Sequence, residues 1–202
     1  MKIALIGASG NAGSRILAEL AARGHQVTAI ARNPEKIATG DNITAVKGDA
    51  GDQSGLAALL RGHDAVISSV HFSASDPQVL IGAVRDSGVK RYLVVGGAGS
   101  LEIAPGQLLI DQPDFPAAYK NEASKGAAFL DTLRGADDLE WTFLSPSAMF
   151  VPGARTGTFR IGKDTLLANE NGSSISFEDY AIAMADEIET PAHVRARFTV
   201  GY

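Results

Sequence analysis

Through the first 145 residues, short apolar runs alternate with segments whose apolar residues recur every three or four positions. The runs Ile3–Gly7, Gln26–Ala31, Ile43–Lys47, Ala65–Val70, Arg91–Val95 and Trp141–Leu144 read as strands. Between them Ala12–Arg23, Ser54–Leu60, Pro77–Ser87 and Tyr119–Leu133 carry the helical period. Strands almost continuous in Val, Ile, Leu and Ala suit a parallel sheet covered on both faces. The alternation therefore predicts an α/β fold, a doubly wound parallel sheet of the Rossmann type. Right-handed crossovers bring its strand carboxyl ends to one ligand-binding edge.

Beyond Leu144 the rhythm breaks at Pro146, Pro152 and Gly153. Thr158–Ile161 and Leu166–Ala168 read as short strands, Phe177–Glu189 as a helix and Arg197–Val200 as a last strand. Ser176 and Asp179 have the spacing of a capping box, with each side chain answering the other's backbone amide. Residues 1–202 thus form one domain, with 146–202 a small elaboration on the substrate side.

Composition narrows the chemistry. With no cysteine among 202 residues, disulfides, thiolate metal sites and cysteine nucleophiles are excluded, and a cytoplasmic location is the expectation. A net charge of −5 argues against a nucleic-acid partner. The opening apolar run ends at Gly7, far short of the roughly 18 residues that cross a bilayer, and no secretory pattern follows, so no membrane partner is expected. No histidine pair has metal-ligand spacing, so no metal is expected. Ser100, in Gly97-Ala98-Gly99-Ser100-Leu101, is misplaced for a hydrolase elbow. Nothing in the sequence sets an oligomeric state.

The sharpest motif is Gly7-Ala8-Ser9-Gly10-Asn11-Ala12-Gly13, between the first strand and the first helix. Gly7 permits a sharp turn, Gly10 gives a pyrophosphate access to bare backbone, and Gly13 lets the helix approach the sheet. Amides at the helix start then face the anion. At the end of the second strand no acid is present to accept from an NAD ribose; Arg32 offers a fork for a 2′-phosphate, with Asn33 and Lys36 nearby. NADP(H) is the favoured cofactor, with NAD(H) an alternative. At the third strand end, Asp49 is a candidate for the adenine amino group and Asp52 a helix cap.

With these glycines, Gly48-Asp49, the small strand end Ser68-Ser69-Val70 and Arg91-Tyr92-Leu93-Val94-Val95-Gly96-Gly97-Ala98-Gly99-Ser100, the chain resembles the atypical short-chain dehydrogenase/reductase superfamily. Within it, the chain is most similar to NAD(P)H-flavin reductase-like and biliverdin-reductase-B-like proteins, and approaches NmrA-like regulators. The resemblance implies pyrophosphate on Gly10, Asn11 and Ala12, adenine near Asp49 and Ala50, and nicotinamide ribose near Ser68 and Ser69. It also places the nicotinamide ring against Gly96–Gly99, Gly97 included, and the segment Pro146–Phe150.

The departure from the superfamily is informative. Its usual tyrosine has a lysine four residues on, which lowers the phenol pKa for proton transfer. Here Tyr119 is followed at that distance by Ala123. Sugar-epimerase and alcohol-dehydrogenase chemistry is therefore not expected. Hydride transfer to a flavin, quinone or similar conjugated small molecule needs mainly ring stacking and exclusion of water. Met149, Phe150 and Phe72 offer an apolar rim, and Leu101–Ala118 reads as a loop covering the substrate. His71, Ser100 and Tyr119 are the candidate catalytic side chains; the alternative for Tyr119 is a helix-start aromatic packing a loop. His25, His63 and His193 read as surface residues. A second reading from the same cradle is an NADP(H)-sensing regulatory protein with little turnover.

Overall fold

The computed structural model describes residues 1–202. Strands β1 (Lys2–Ile6), β2 (Gln26–Ala31), β3 (Ile43–Lys47), β4 (Ala65–Ser68) and β5 (Arg91–Val95) alternate with helices α1 (Asn11–Ala22), α2 (Gln53–Leu60) and α3 (Pro77–Ser87). A hairpin of β6 (Glu102–Ala104) and β7 (Gln107–Leu108) precedes α4 (Ala117–Arg134) and β8 (Glu140–Ser145). Short strands β9 (Met149–Val151), β10 (Arg160–Gly162) and β11 (Ser174–Ser176) lead into α5 (Phe177–Glu189) and β12 (Ala196–Gly201). The main sheet runs β10-β12-β8-β5-β4-β1-β2-β3, parallel except for β10. Its order reverses beside β1, the doubly wound Rossmann arrangement with a crevice at the reversal.

Period-two alternation splits the core between the two faces. Ile3 and Leu5 of β1 join Ile16, Leu17 and Leu20 of α1 and Tyr180, Met184 and Ile188 of α5. Ala4 and Ile6 face the opposite core, with Leu56 of α2, Leu80 and Val84 of α3, and Phe129 and Leu133 of α4. The amide of Gly55 donates to Asp52, which caps α2, at 2.9 Å.

The C-terminal third departs from expectation in several places. Leu166–Ala168 is not a strand, and the edge strand expected at Thr158–Ile161 lies at Arg160–Gly162, paired antiparallel with β12. Short apolar runs carry too little periodicity to separate strand from extended loop. Only half of the capping box forms. Ser176 Oγ accepts from Asp179 N at 3.0 Å, but the Asp179 carboxylate turns to Thr156, Gly157 and Tyr202. The amide of Ser176 donates instead to the Tyr202 hydroxyl at 3.3 Å. Asp179 thereby anchors the exposed 152–158 loop, whose Arg155 also forks onto Glu19 of α1.

The histidines expected at the surface are instead tied into the fold. His25 is buried, with Nε2 2.9 Å from Glu189. His63 sits against Thr28 Oγ1 at 2.8 Å, and His193 stacks on Phe198 with Nδ1 2.8 Å from Glu187. No helix is long and apolar enough to cross a membrane.

Candidate active site

At the carboxyl edge of the sheet a cleft of about 460 Å³ follows the ends of β3, β2, β1, β4 and β5. Its centre is the turn from β1 into α1. Gly7 has φ +83°, and a Cβ there would stand 2.1 Å from the carbonyl oxygen of Ser69. A Cβ on Gly13 would stand 2.2 Å from the carbonyl oxygen of Gly7. Side chains are thus excluded at both positions, and α1 is drawn down onto the strand end. Gly10 caps α1 without a side-chain hydrogen bond, and the first helical amides have no intrahelical acceptor. Bare N–H groups at the positive end of a helix are the donor set an external anion requires.

Gly7, Ser9, Gly10, Asn11 and Ala12 all line this cleft, while Gly13 serves it from behind. On the β2 and β3 side stand Arg32, Asp49 and Ala50. Arg32 is exposed and makes no hydrogen bond or ion pair within the chain. Asp49 accepts from Gly51 N at 2.9 Å, a turn that fixes the carboxylate at the strand end. The donors and the size of the cleft fit a dinucleotide.

On the other side of β1 the lining changes to Ser69, Val70, His71 and Phe72 after β4, Val95 and Gly96 at β5, then Phe150 and Phe177. Phe150 meets Phe177 edge to face, with centroids 4.5 Å apart. This end is apolar and aromatic, apart from Ser69, His71 and Glu122.

Several expected residues lie elsewhere. Ser68 is buried, its hydroxyl 2.9 Å from that of Tyr92, so the cleft begins one residue later at Ser69. Gly97 and buried Pro146 do not line it, and Met149, 59% exposed, points to solvent. Ser100 accepts from Arg197 at 3.1 Å. Tyr119 is 67% exposed and lies outside the cleft, so it neither packs a loop nor reaches a ligand there. No residue of Leu101–Ala118 covers the cleft; the segment forms the β6–β7 hairpin, bonded to Asp164 and Leu166.

Glu122 escaped the sequence reading, although it lies one and two turns before Gly126 and Phe129 on the buried stripe of α4. A carboxylate continuing an apolar stripe is the signal that could have found it. It accepts from the amides of Phe72 at 2.7 Å and Ser73 at 2.9 Å. Partial burial works to raise its pKa, but the hydrogen bonds from Ser73 and Phe72, with His71 beside it, hold it below the usual carboxylate range.

Comparison with known proteins shows the family of the chain. The model of a family described as NAD(P)H-binding matches residues 7–191. A Burkholderia pseudomallei structure, provisionally described as an exported protein, is 46% identical with a TM-score of 0.90 over 100% of both chains. A Bacteroides thetaiotaomicron structure, provisionally described as an epimerase, is 42% identical with a TM-score of 0.94, covering 100% of this chain and 96% of that one. A Streptococcus pneumoniae structure, provisionally described as an NADH-flavin reductase, is 38% identical with a TM-score of 0.84, covering 100% and 99%.

Proposed function

The chain belongs to the NAD(P)H-binding family, and from that premise we propose that it is an NADPH-preferring reductase whose acceptor is a conjugated small molecule, a flavin or a quinone. The observation that carries this reading is the division of a single cleft into a bare-amide and cationic half and an aromatic half. The amides of Asn11 and Ala12 would hold the pyrophosphate. Arg32 would pair with the 2′-phosphate, while Asp49 and Ala50 would flank the adenine and Ser69 the second ribose. Gly96 and Phe150 would border the nicotinamide, which supplies a hydride when bound. Val95, Phe150 and Phe177 would exclude water from that end once the ligands are bound.

The position of Tyr119 and the presence of Ala123 where a lysine would stand favour an acceptor that does not depend on a tyrosine–lysine proton relay. For that reason reductase chemistry is preferred over the epimerase chemistry attributed to the Bacteroides relative. A cytoplasmic location belongs to the same reading, in a chain without cysteine.

Titration calorimetry with NADPH and NADH, followed by stopped-flow oxidation of NADPH against flavin and quinone acceptors, tests it. The expected result is tighter binding of NADPH and turnover with at least one acceptor. No binding of either dinucleotide overturns the reading. Tight binding with no turnover on any acceptor replaces it with the cofactor-sensing one.

A further inference from the structure

We propose that His71 is the proton donor of this reduction and that Glu122 positions it, so that the acceptor is a quinone or enone, whose carbonyl oxygen must gain a proton. The proposal rests on the hydride-transfer reading above. His71 opens the turn after β4, its side chain 85% exposed, and its Nδ1 lies 3.5 Å from Glu122 Oε1. Both residues line the aromatic half of the cleft. The turn itself is fixed at two points. Glu122 receives its amides, as described, and the Phe72 ring is wedged against Phe129 and Phe143 at centroid distances of 5.4 and 6.1 Å.

Among the cleft-lining residues the titratable or charged groups are Arg32, Asp49, His71 and Glu122. The first two follow β2 and β3, across β1 from the aromatic end. Two further charged groups stand near the turn, Lys125 of α4, with Nζ 3.5 Å from the carbonyl oxygen of Ser73, and Asp76, which caps α3 and accepts from Gln78 N at 2.8 Å. Glu122 is committed to two backbone amides, so His71 is the group in this half with a proton to give. With the Glu122 carboxylate beside Nδ1, Nε2 is the ring nitrogen left for the ligand, the arrangement by which a carboxylate orients a catalytic imidazole.

The balance is complete. The conjugated ring gains a hydride, carrying two electrons, from the dihydronicotinamide. The displaced π pair moves to the carbonyl oxygen, which takes the Nε2 proton of the His71 imidazolium. The sum is NADPH, one proton and quinone giving NADP⁺ and hydroquinone. His71 regains its proton from solvent, to which it is open.

The test compares two acceptors on the full chain. Benzoquinone needs the proton; the methylene blue cation accepts a hydride to become a neutral dye and needs none. His71→Ala should lower kcat for benzoquinone about 100-fold while leaving methylene blue within about twofold, since general acid catalysis is worth at least that factor. Added imidazole should restore part of the benzoquinone rate. Glu122→Gln should give the same split at about tenfold, the scale of a lost orienting partner. Independently of turnover, ring ¹⁵N shifts of the cofactor-free protein should show neutral His71 protonated on Nδ1 in the wild type and redistributed toward Nε2 in Glu122→Gln.

Equal slowing of both acceptors in His71→Ala, or unchanged ring shifts in Glu122→Gln, overturns the proposal while the reductase reading stands. A wild-type protein that binds NADPH and reduces methylene blue but not benzoquinone overturns the proposal alone, and one that binds NADPH and reduces neither of these nor a flavin overturns both.

Discussion

Along the carboxyl edge of the sheet Arg32 stands without a partner, and the first turn of α1 offers its amides to whatever enters the cleft. Along the amino edge Arg91 is 6% exposed, and its Nη atoms reach Glu140 O at 2.8 Å, Thr142 Oγ1 at 2.7 Å and Glu187 Oε1 at 2.8 Å. Glu187 also receives His193 N at 2.9 Å and lies 2.8 Å from His193 Nδ1. The Arg91 charge is thus paired within the fold and locks α5 to β5 and β8. Charge at the carboxyl edge is left open, which is how a site for an anionic ligand differs from a structural ion pair. The difference lies in what each guanidinium touches, since both arginines sit at the end of a strand.

The amino edge offers the largest break. Glu187→Ala leaves the Arg91 guanidinium buried without its carboxylate, which should cost about 3–5 kcal/mol of folding stability. Thermal melting should show the loss, while NADPH affinity measured well below the melting point stays unchanged. A parallel loss of affinity would mean that the two edges are not separable.

The converse break is Arg32→Ala. Loss of a charge-assisted phosphate contact should weaken NADPH by about 1.5–3 kcal/mol. NADH affinity and the melting temperature of the cofactor-free protein should stay where they are. Equal weakening of both dinucleotides would remove the 2′-phosphate from the account of Arg32.

Much of the open edge was legible in the sequence because its chemistry is local. Glycines three apart between an apolar run and a helical period specify a backbone shape, and no distant residue is needed to complete it. That the central strands run parallel followed for the same reason, from connections long enough to hold a helix. What could not be read depends on contacts between distant segments. Ser68 and Ser69 look equivalent in sequence, but strand parity turns Ser68 onto Tyr92 and leaves Ser69 for the cleft. Glu122 acquires its place only when α4 packs on the turn after β4. His25 looked like a surface residue because Glu189, which partners it, is 164 residues away. The pairing of β9 with β11 was also hidden, since three-residue strands carry almost no periodic signal.

The smallest effect probes the rim of the cleft, where Glu178 at the start of α5 meets Arg15 at 3.1 Å and accepts from Gly153 N at 2.9 Å. Burial works to raise the Glu178 pKa, but the hydrogen bonds from Gly153 and Arg15 outweigh it and hold it below its ordinary value of 4.5. A carboxylate whose pKa is depressed by folding stabilises the native state fully above its unfolded value, and that contribution disappears as pH falls through the folded value. Both groups of the pair are partly exposed, so water screens it and its worth is about 0.2–1 kcal/mol. Glu178→Gln should therefore melt slightly lower than wild type at pH 7, with an equal gap at pH 6. Below 4.5 the gap should narrow and then close as the wild-type carboxylate gains its proton. Arg15 lies 5.8 Å over the Phe177 ring, which lines the cleft, so the same variant reports whether this surface pair supports the cleft. Unchanged NADPH affinity in Glu178→Gln would keep them separate. A loss of affinity that follows the same pH course as the melting gap would join them through Phe177.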